Sequence, residues 1–501
     1  MDIPAGLHRP PKAHLEAVQG FLDDVLSGVG SLTFLHAEED FEMADITTNI
    51  NDFSISENDI RFKSTKFYAS VPRIRSQIAV RRQNTLKANI LAYEKRNAGV
   101  VKSYWHPDVT DEVMCLVDDF FASYVDSRKL EELLSDPVEP NSKDLCDWFV
   151  SRTPMGKAGL VKELQMPVTL DSNMNRFKLM VKSDVKFKTE LECLSELPAG
   201  QNIVFHDRAV CAHFSVCFKA LVDRLRACLH PKFILFNGLS FEEFANSLDA
   251  ALNDVPINHF RCDEVDISKY DKSQSTFTKA VELEIYRRLG LSQHVLNVWG
   301  SSEFYGRAVT NRRSFSAELY SQRRTGAANT WIGNTIVNMV LLSQACDVNT
   351  FDAVAFAGDD SLILKRNVPG VSYDVYDSKY EFDVKYYSEA TPYFCGKFLL
   401  WDGTKTVVMP DPFKIFVKFG RERPPEDSVL KELWRSFFDV TRNYDSEHNV
   451  LTLSRLLGAK WANSVHAYEA CCTINSLRSN PEQFKRLWFN VFRANSDLVR
   501  P

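Results

Sequence analysis

Residues Phe351–Lys365 read FDAVAFAGDDSLILK, and the reading of the whole chain turns on them. Val354 and Phe356 alternate with small residues, Gly358-Asp359-Asp360-Ser361 interrupts, and Leu362-Ile363-Leu364 resumes the apolar run. This pattern predicts a strand, a tight turn and a second strand, with glycine where the backbone bends sharply. Two adjacent carboxylates at the tip repel each other unless a cation lies near. Oxygen-only donors of this kind suit Mg²⁺ or Mn²⁺ rather than zinc. The alternative is a solvated acidic hairpin, so the surrounding sequence has to decide.

A chain of 501 residues has room for several lobes around a sizeable core. It is 45% hydrophobic and 25% charged, ordinary for a globular protein, and its net charge of −6 excludes a global basic field. Any polyanion-binding surface is therefore local. The eleven cysteines include no CxxC, and their odd count leaves at least one unpaired. Reduced thiols in a cytosolic protein are expected, not a disulfide framework or a zinc site. The N-terminus, MDIPAGLHRPPKAH, lacks the apolar core of a signal peptide, and no apolar run is long enough to span a membrane.

From Glu38 to Asp59 there are eight acids and no base, which reads as a solvated or loosely folded segment. The charge then inverts: Arg61 to Lys102 carries eleven Lys/Arg and one acid, Glu94. Such a run points to a polyanion-facing surface over a merely solvated helix face. Thr110 is placed to cap a helix whose core stripe is Val113, Leu116, Val117, Phe120, Phe121 and Tyr124. In LMVKSDVKFKTE, Lys182, Lys186 and Lys188 would share one face of a strand and call for phosphate. His206 and Arg208 follow in QNIVFHDRAVCAHF, either functional or satisfied locally around Asp207.

Around CDEVDISKYDKSQSTFTKAVELEIYRRLG a strand ends at Asp266 or Ile267, and Asp271 lies in the loop entering a helix from about Ser275. That helix stops at Gly290. SQRRTGAANTWIGNTIVNMVLLSQAC opens with Arg323-Arg324 and a glycine turn and becomes an apolar helix. Thr330 and Asn334 lie one turn apart on it and must face something polar, because Trp331, Ile332, Ile336, Val337, Val340 and Leu341 occupy the other faces. A strand-borne acid, a helix and an Asp-Asp hairpin, in that order, would bring Asp266 beside Asp359. A pair of metals held by such acids is what in-line nucleotidyl transfer requires.

DISKYDKSQ with EIYRRLG, QRRTGAANTWIGNT and AGDDSLIL resemble motifs A, B and C of the RNA-dependent RNA polymerases of positive-strand RNA viruses. The resemblance lies in the alphavirus-like superfamily, nearest its tobamovirus-like plant group. EFDVKYY and PYFCGKFLL fall where motifs D and E belong, and VKSDVK where the basic fingers motif belongs. Weaker similarity covers most of residues 70–495, while the first 60 match nothing.

The resemblance implies Asp266, Asp359 and Asp360 as ligands of two Mg²⁺ or Mn²⁺ ions, assisted by the Ile267 carbonyl. It implies Asp271 and Asn334 at the ribose 2′-hydroxyl, with Thr325 and Thr330 supporting them. Thr325 stands where the family usually has serine. Lys182, Lys186, Lys188, Arg208, Arg323 and Arg324 would meet triphosphate or template, and Lys385 would give a proton to pyrophosphate. The implied fold is an α+β right hand. It would have an extension at 1–60, fingers at 61–257, a palm core at 258–371, palm motifs D and E at 372–405, and a helical thumb at 406–501. Template and product RNA and NTPs would be its ligands. Helicase and capping activities would come from partner proteins, since no GxxxxGK[ST] loop is present. Those partners would recruit it to membrane-associated replication complexes in the host cytoplasm. A catalytically idle RNA-binding scaffold and a Mg²⁺-dependent phosphohydrolase are the rival classes, and the intact acids disfavour the first.

Overall fold

The computed structural model describes residues 9–26, 53–55, 74, 84–100, 110–164, 174–182, 200–311, 313–366, 372–388, 391–419 and 427–487. Lys186, Lys188 and most of the basic run at 61–102 lie outside them. The described strands form three sheets within a mixed α+β chain. The first holds β1 (Phe53–Ile55), β2 (Arg176–Val181), β3 (Asn202–Phe205), β6 (Tyr305–Thr310) and β7 (Phe315–Tyr320), in the order β1-β7-β6-β2-β3. The second holds β4 (Phe233–Leu235), β5 (Arg261–Ile267), β8 (Ala353–Ala357), β9 (Asp360–Lys365) and β10 (Val384–Tyr387), in the order β10-β5-β9-β8-β4. The third is a meander of β11 (Tyr393–Phe394), β12 (Lys397–Trp401) and β13 (Thr406–Pro410).

The expected hairpin is β8–β9, with Ala357 opposite Asp360 and Gly358-Asp359 as its two-residue loop. Gly358 takes φ +67°, the left-handed conformation that a short hairpin loop needs at its first position. The strands read as nearly unbroken apolar runs because both faces of the sheet are covered. Val354, Phe356, Ile363, Val265 and Ile267 pack on one side with the helices Thr276–Arg288 and Thr330–Ala345. Ala353, Ala355, Leu362, Leu364 and Cys262 pack on the other with Phe394, Leu399 and Val408 of the third sheet. The period of two along each strand divides these residues between two cores.

Local signals held where the chemistry was local. Thr110 accepts a hydrogen bond from the Val113 N–H at 3.3 Å and caps Asp111–Tyr124. Ser275 and Thr278 form a reciprocal capping box for Thr276–Arg288, and Gly290 ends that helix at φ +88°.

Several contacts cross the expected spans. Ahead of the acidic stretch, Val18, Phe21, Leu22 and Leu26 of and beside the helix Leu15–Val25 are buried in the C-terminal core. Their short i, i+3, i+4 stripe was hidden by the acid density that follows. Likewise β1 joins the first sheet, with the Phe53 ring packed on Phe315 at 5.3 Å between ring centroids. The span 258–371 is not one continuous unit, because the β6–β7 hairpin leaves it to pair with β2. Conversely β4, from 61–257, runs parallel to β8 in the acid-bearing sheet. Strand exchange of this kind leaves no local mark in sequence. In the C-terminal helix Asp427–Val440, Leu430 and Phe437 are buried, whereas Leu433 and Phe438 are exposed.

The ten described cysteines are all unpaired, and no described helix is long and apolar enough to cross a membrane. His206 is structural: it is buried against Phe177 and Trp299, with Nε2 2.9 Å from the Met174 carbonyl. Burial pushes its pKa down to about 4. A histidine neutral in the fold but free to protonate once unfolded gives stability that is complete above its ordinary pKa and is lost as pH falls toward 4. His206→Gln, which keeps a donor for Met174, should therefore lose less stability on acidification than the wild type. Denaturant titrations at pH 6.5 and 4 should differ between the two proteins by roughly 3 kcal/mol.

Candidate active site

The end of the second sheet gathers the acids. Asp266 is exposed near the end of β5, directly opposite Lys385 on the edge strand β10. Residues paired across antiparallel strands share a face, so the Lys385 side chain lies on the Asp266 side. On the other flank Val265 is opposite Ser361, which makes Asp266 and Asp360 the next residues along the β5–β9 pairing. Asp359 occupies the adjoining turn.

Crowding is legible in the electrostatics. Burial and then the charges of Asp360, Asp271 and Asp266 push Asp359 up to about 7. Asp360 is also raised, by burial and by Asp266 and Glu264, against the Cys395 thiol and Lys414. The Cys395 Sγ lies 3.4 Å from Asp360 Oδ2 and donates to it. The donor set is all oxygen and self-repelling, which fits a hard divalent cation. Among the described residues, however, no three His, Cys, Asp or Glu side chains are close enough to close a cage by themselves. That is compatible with Mg²⁺, which takes one or two carboxylates and completes its shell with water and substrate phosphate.

The helix Thr330–Ala345 carries the turn. Thr335 Oγ1 accepts from the Gly358 N–H at 3.0 Å, and Asn338 Nδ2 donates to the Gly358 carbonyl at 3.1 Å and to Ser361 Oγ at 2.8 Å. One turn earlier, Asn334 Nδ2 donates to Asp271 Oδ1 at 3.2 Å. Asp271 sits in the short helix Tyr270–Ser273, entered through Lys269 at φ +52°. Asp271 and Asn334, 63 positions apart, are thus joined. Burial raises the Asp271 pKa, against the lowering bond from Asn334 and the charge of Arg323.

Other expected residues make local contacts within the protein. Thr325 Oγ1 donates to the Asn202 carbonyl and accepts from the Val204 N–H, both at 3.1 Å, and so pins the loop to β3. Thr330 Oγ1 reaches the Arg324 and Ala327 carbonyls at 2.7 and 2.8 Å and braces the same loop. Arg208 starts the helix Arg208–Cys228 against Glu163, and Lys178 takes Asp207. Lys182 follows β2, its backbone N–H bonded to the Gln201 carbonyl at 2.7 Å.

Arg323 and Arg324, expected at phosphate, both turn inward. Arg323 is 1% exposed and forked on Glu282 at 2.9 and 2.7 Å. Arg324, 3% exposed, donates to the Gln322 and Leu319 carbonyls over the Phe177 ring. Lys279, Glu303 and Asn329 complete this dry network. Two arginines beside a glycine turn read as an exposed basic loop, and only the fold supplies the buried acids that claim them.

Glu264 and Lys460 also border the site. Glu264 shares the Asp266 face and is paired with Lys460, which lies 4.4 Å from the Tyr393 ring centroid. Its spacing of two from Asp266 on one strand was a usable signal. Lys460, 196 positions from Glu264, offered none.

The sequence model of the family described as RNA dependent RNA polymerase matches residues 43–487. The chain belongs to that family. It is 35% identical over 495 residues, 98% of its length, to the replicase polyprotein 1ab of Grapevine leafroll-associated virus 3, and 32% identical over 484 residues to that of Beet yellows virus. The replicase large subunit of Sunn-hemp mosaic virus is 28% identical over 492 residues, 95% of this chain. The tobamovirus-like resemblance therefore holds, with greater identity to the first two viruses. The chain spans 18, 16 and 29% of these three proteins.

Relieving the crowding should show in stability. Asp359→Asn should raise the melting temperature measured in EDTA at pH 8 by on the order of 2 °C or more. It should also reduce the further rise that Mg²⁺ brings to the wild type. A lower melting temperature in EDTA would mean that the Asp359 carboxylate is satisfied within the protein.

Proposed function

We propose that this chain performs template-directed RNA synthesis from NTPs by two-metal nucleotidyl transfer, replicating and transcribing a positive-strand RNA virus genome. The observation that carries the reading is the gathering of Asp266, Asp359 and Asp360 at one strand end, with Asp271 bonded to Asn334 beside them. On this reading the second sheet and its helices are the palm, the first sheet and its helices the fingers, and the C-terminal helices the thumb of a right hand.

Asp266, Asp359 and Asp360, with the Ile267 carbonyl, would hold Mg²⁺ or Mn²⁺. Bound there, two such ions would activate the 3′-hydroxyl and neutralise triphosphate and pyrophosphate charge. Asp271 and Asn334 hold an acceptor and an amide where the incoming ribose is read by its 2′-hydroxyl. Lys385, on the same strand face as Asp266, is the proton donor to pyrophosphate. Lys182, with Lys186 and Lys188, is the phosphate contact of the fingers. Helicase and capping proteins are its partners and bring it to replication membranes in the host cytoplasm.

Primer extension on a defined RNA, omitting each NTP in turn, tests the activity. Stops dictated by the template are expected, and untemplated products would refute the reading. Asp359→Ala should abolish incorporation while leaving a folded, RNA-binding protein, because each lost metal contact removes several kcal/mol of transition-state stabilisation.

Asn334→Ala tests sugar choice. An unmade buried hydrogen bond costs about 1–3 kcal/mol, so the ratio of kcat/KM for ATP over dATP should fall roughly 5- to 150-fold. Equal losses with both sugars would make Asn334 a brace of the helix and nothing more.

A further inference from the structure

Asn334 can read a ribose only if its amide faces the right way, and the two ends of an amide differ little in shape. Something must decide which end meets Asp271. The neighbour that decides it is the buried guanidinium of Arg323.

Guanidinium groups only donate hydrogen bonds. Arg323 Nε lies 2.7 Å from Asn334 Oδ1, so that end of the amide must be its oxygen. The amide nitrogen is thereby turned toward Asp271 Oδ1, 3.2 Å away. Rotating the amide by half a turn would set N–H against guanidinium and carbonyl against carboxylate, two unfavourable contacts in one buried site. The backbone N–H of Arg323 also donates to the Asp271 carbonyl at 2.9 Å, so a single residue holds both members of the pair.

The guanidinium is itself immobilised. Its two terminal nitrogens bond Glu282 Oε1 and Oε2 at 2.9 and 2.7 Å, a bidentate fork. Glu282 is anchored in turn by the Tyr286 hydroxyl at 2.6 Å and Asn329 Nδ2 at 2.8 Å. Gly333 makes room for the pair: a Cβ there would lie 2.4 Å from both Arg323 Nη1 and Glu282 Oε1. Every described contact of the Arg323 side chain is inside the protein, and the residue is 1% exposed.

We propose that Arg323 is a positioning residue for sugar selection, orienting the Asn334 amide through its Nε–H while Glu282 and Gly333 fix the guanidinium in place. The proposal rests on the reading that Asp271 and Asn334 engage the incoming ribose. Arg323 touches no substrate; it acts through Asn334.

The test is the ATP over dATP ratio of kcat/KM in a double-mutant cycle. Arg323→Lys keeps the charge and loses the fork. Gly333→Ala keeps every charge and displaces the pair by one methyl group. Tyr286→Phe loosens Glu282 without unpairing a charge, so a folded protein is available even if the first two unfold. Arg323→Lys and Gly333→Ala should each lower the ratio about 5-fold or more, and Tyr286→Phe should lower it less. All three should leave the ratio unchanged in an Asn334→Ala background.

A ratio unaffected by the folded variants, alongside a fall in Asn334→Ala, would overturn the proposal and leave the ribose reading standing. A fall that persists in the Asn334→Ala background would overturn it too, by placing the action of Arg323 elsewhere. No change in Asn334→Ala itself would remove the ribose reading, and the proposal with it.

Discussion

Carboxylates crowded into a half-buried space repel one another, and the centre of this molecule is built against that repulsion. Asp359, Asp360 and Asp266 meet at one end of the second sheet, with Asp271 near enough to add to the charge on Asp359. Among the described residues, none of these acids forms a buried ion pair of the kind that Asp263 makes with Lys365 further down the same sheet. Geometry holds them instead: strands covered on both faces, a glycine loop, and a helix whose Thr335 and Asn338 grip that loop by its backbone. A divalent ion bound there would remove a penalty the fold already carries.

The second device is the buried charge network under the loop that precedes the helix Thr330–Ala345. Burial alone would raise Glu303, yet Lys279, Arg323 and Arg324 hold it down at about 2. Networks of this kind are poor sources of net stability, because desolvating the charges consumes most of the Coulomb gain. What they supply is orientation. A packed apolar cluster could fill the same volume but could not tell the oxygen of Asn334 from its nitrogen.

The third sheet and C-terminal helices bring positive charge to the same place. Lys414 and Lys460 flank Tyr393, and each lies close enough to Asp360 or Glu264 to act on its charge. These bases come from helices that also enclose Leu15–Val25, so the two ends of the chain share one core beside the acid-bearing sheet. The β6–β7 hairpin does the reverse, tying a segment between Asp271 and Arg323 to the N-terminal sheet. The site is thus bounded by elements exchanged between sequence-distant parts.

Sequence alone determined what short-range chemistry determines. The hairpin at Phe351–Lys365, the capped helix after Ser275 and the strand ending near Asp266 were legible from periodicity and glycine placement, while the nearness of Asp271 to Asn334 was implied only by the family resemblance. Each depends on residues within a few positions or on a motif whose parts recur together. The fate of Arg323 and Arg324 was not legible, because whether a basic loop faces phosphate or a buried Glu282 depends on a helix about forty positions away. Nor were the packing of Val18 and Phe21 into the C-terminal core, or the Lys460–Glu264 pair, for the same reason. Burial changes the cost of a charge by more than any local propensity, and burial is decided only when distant segments close over one another.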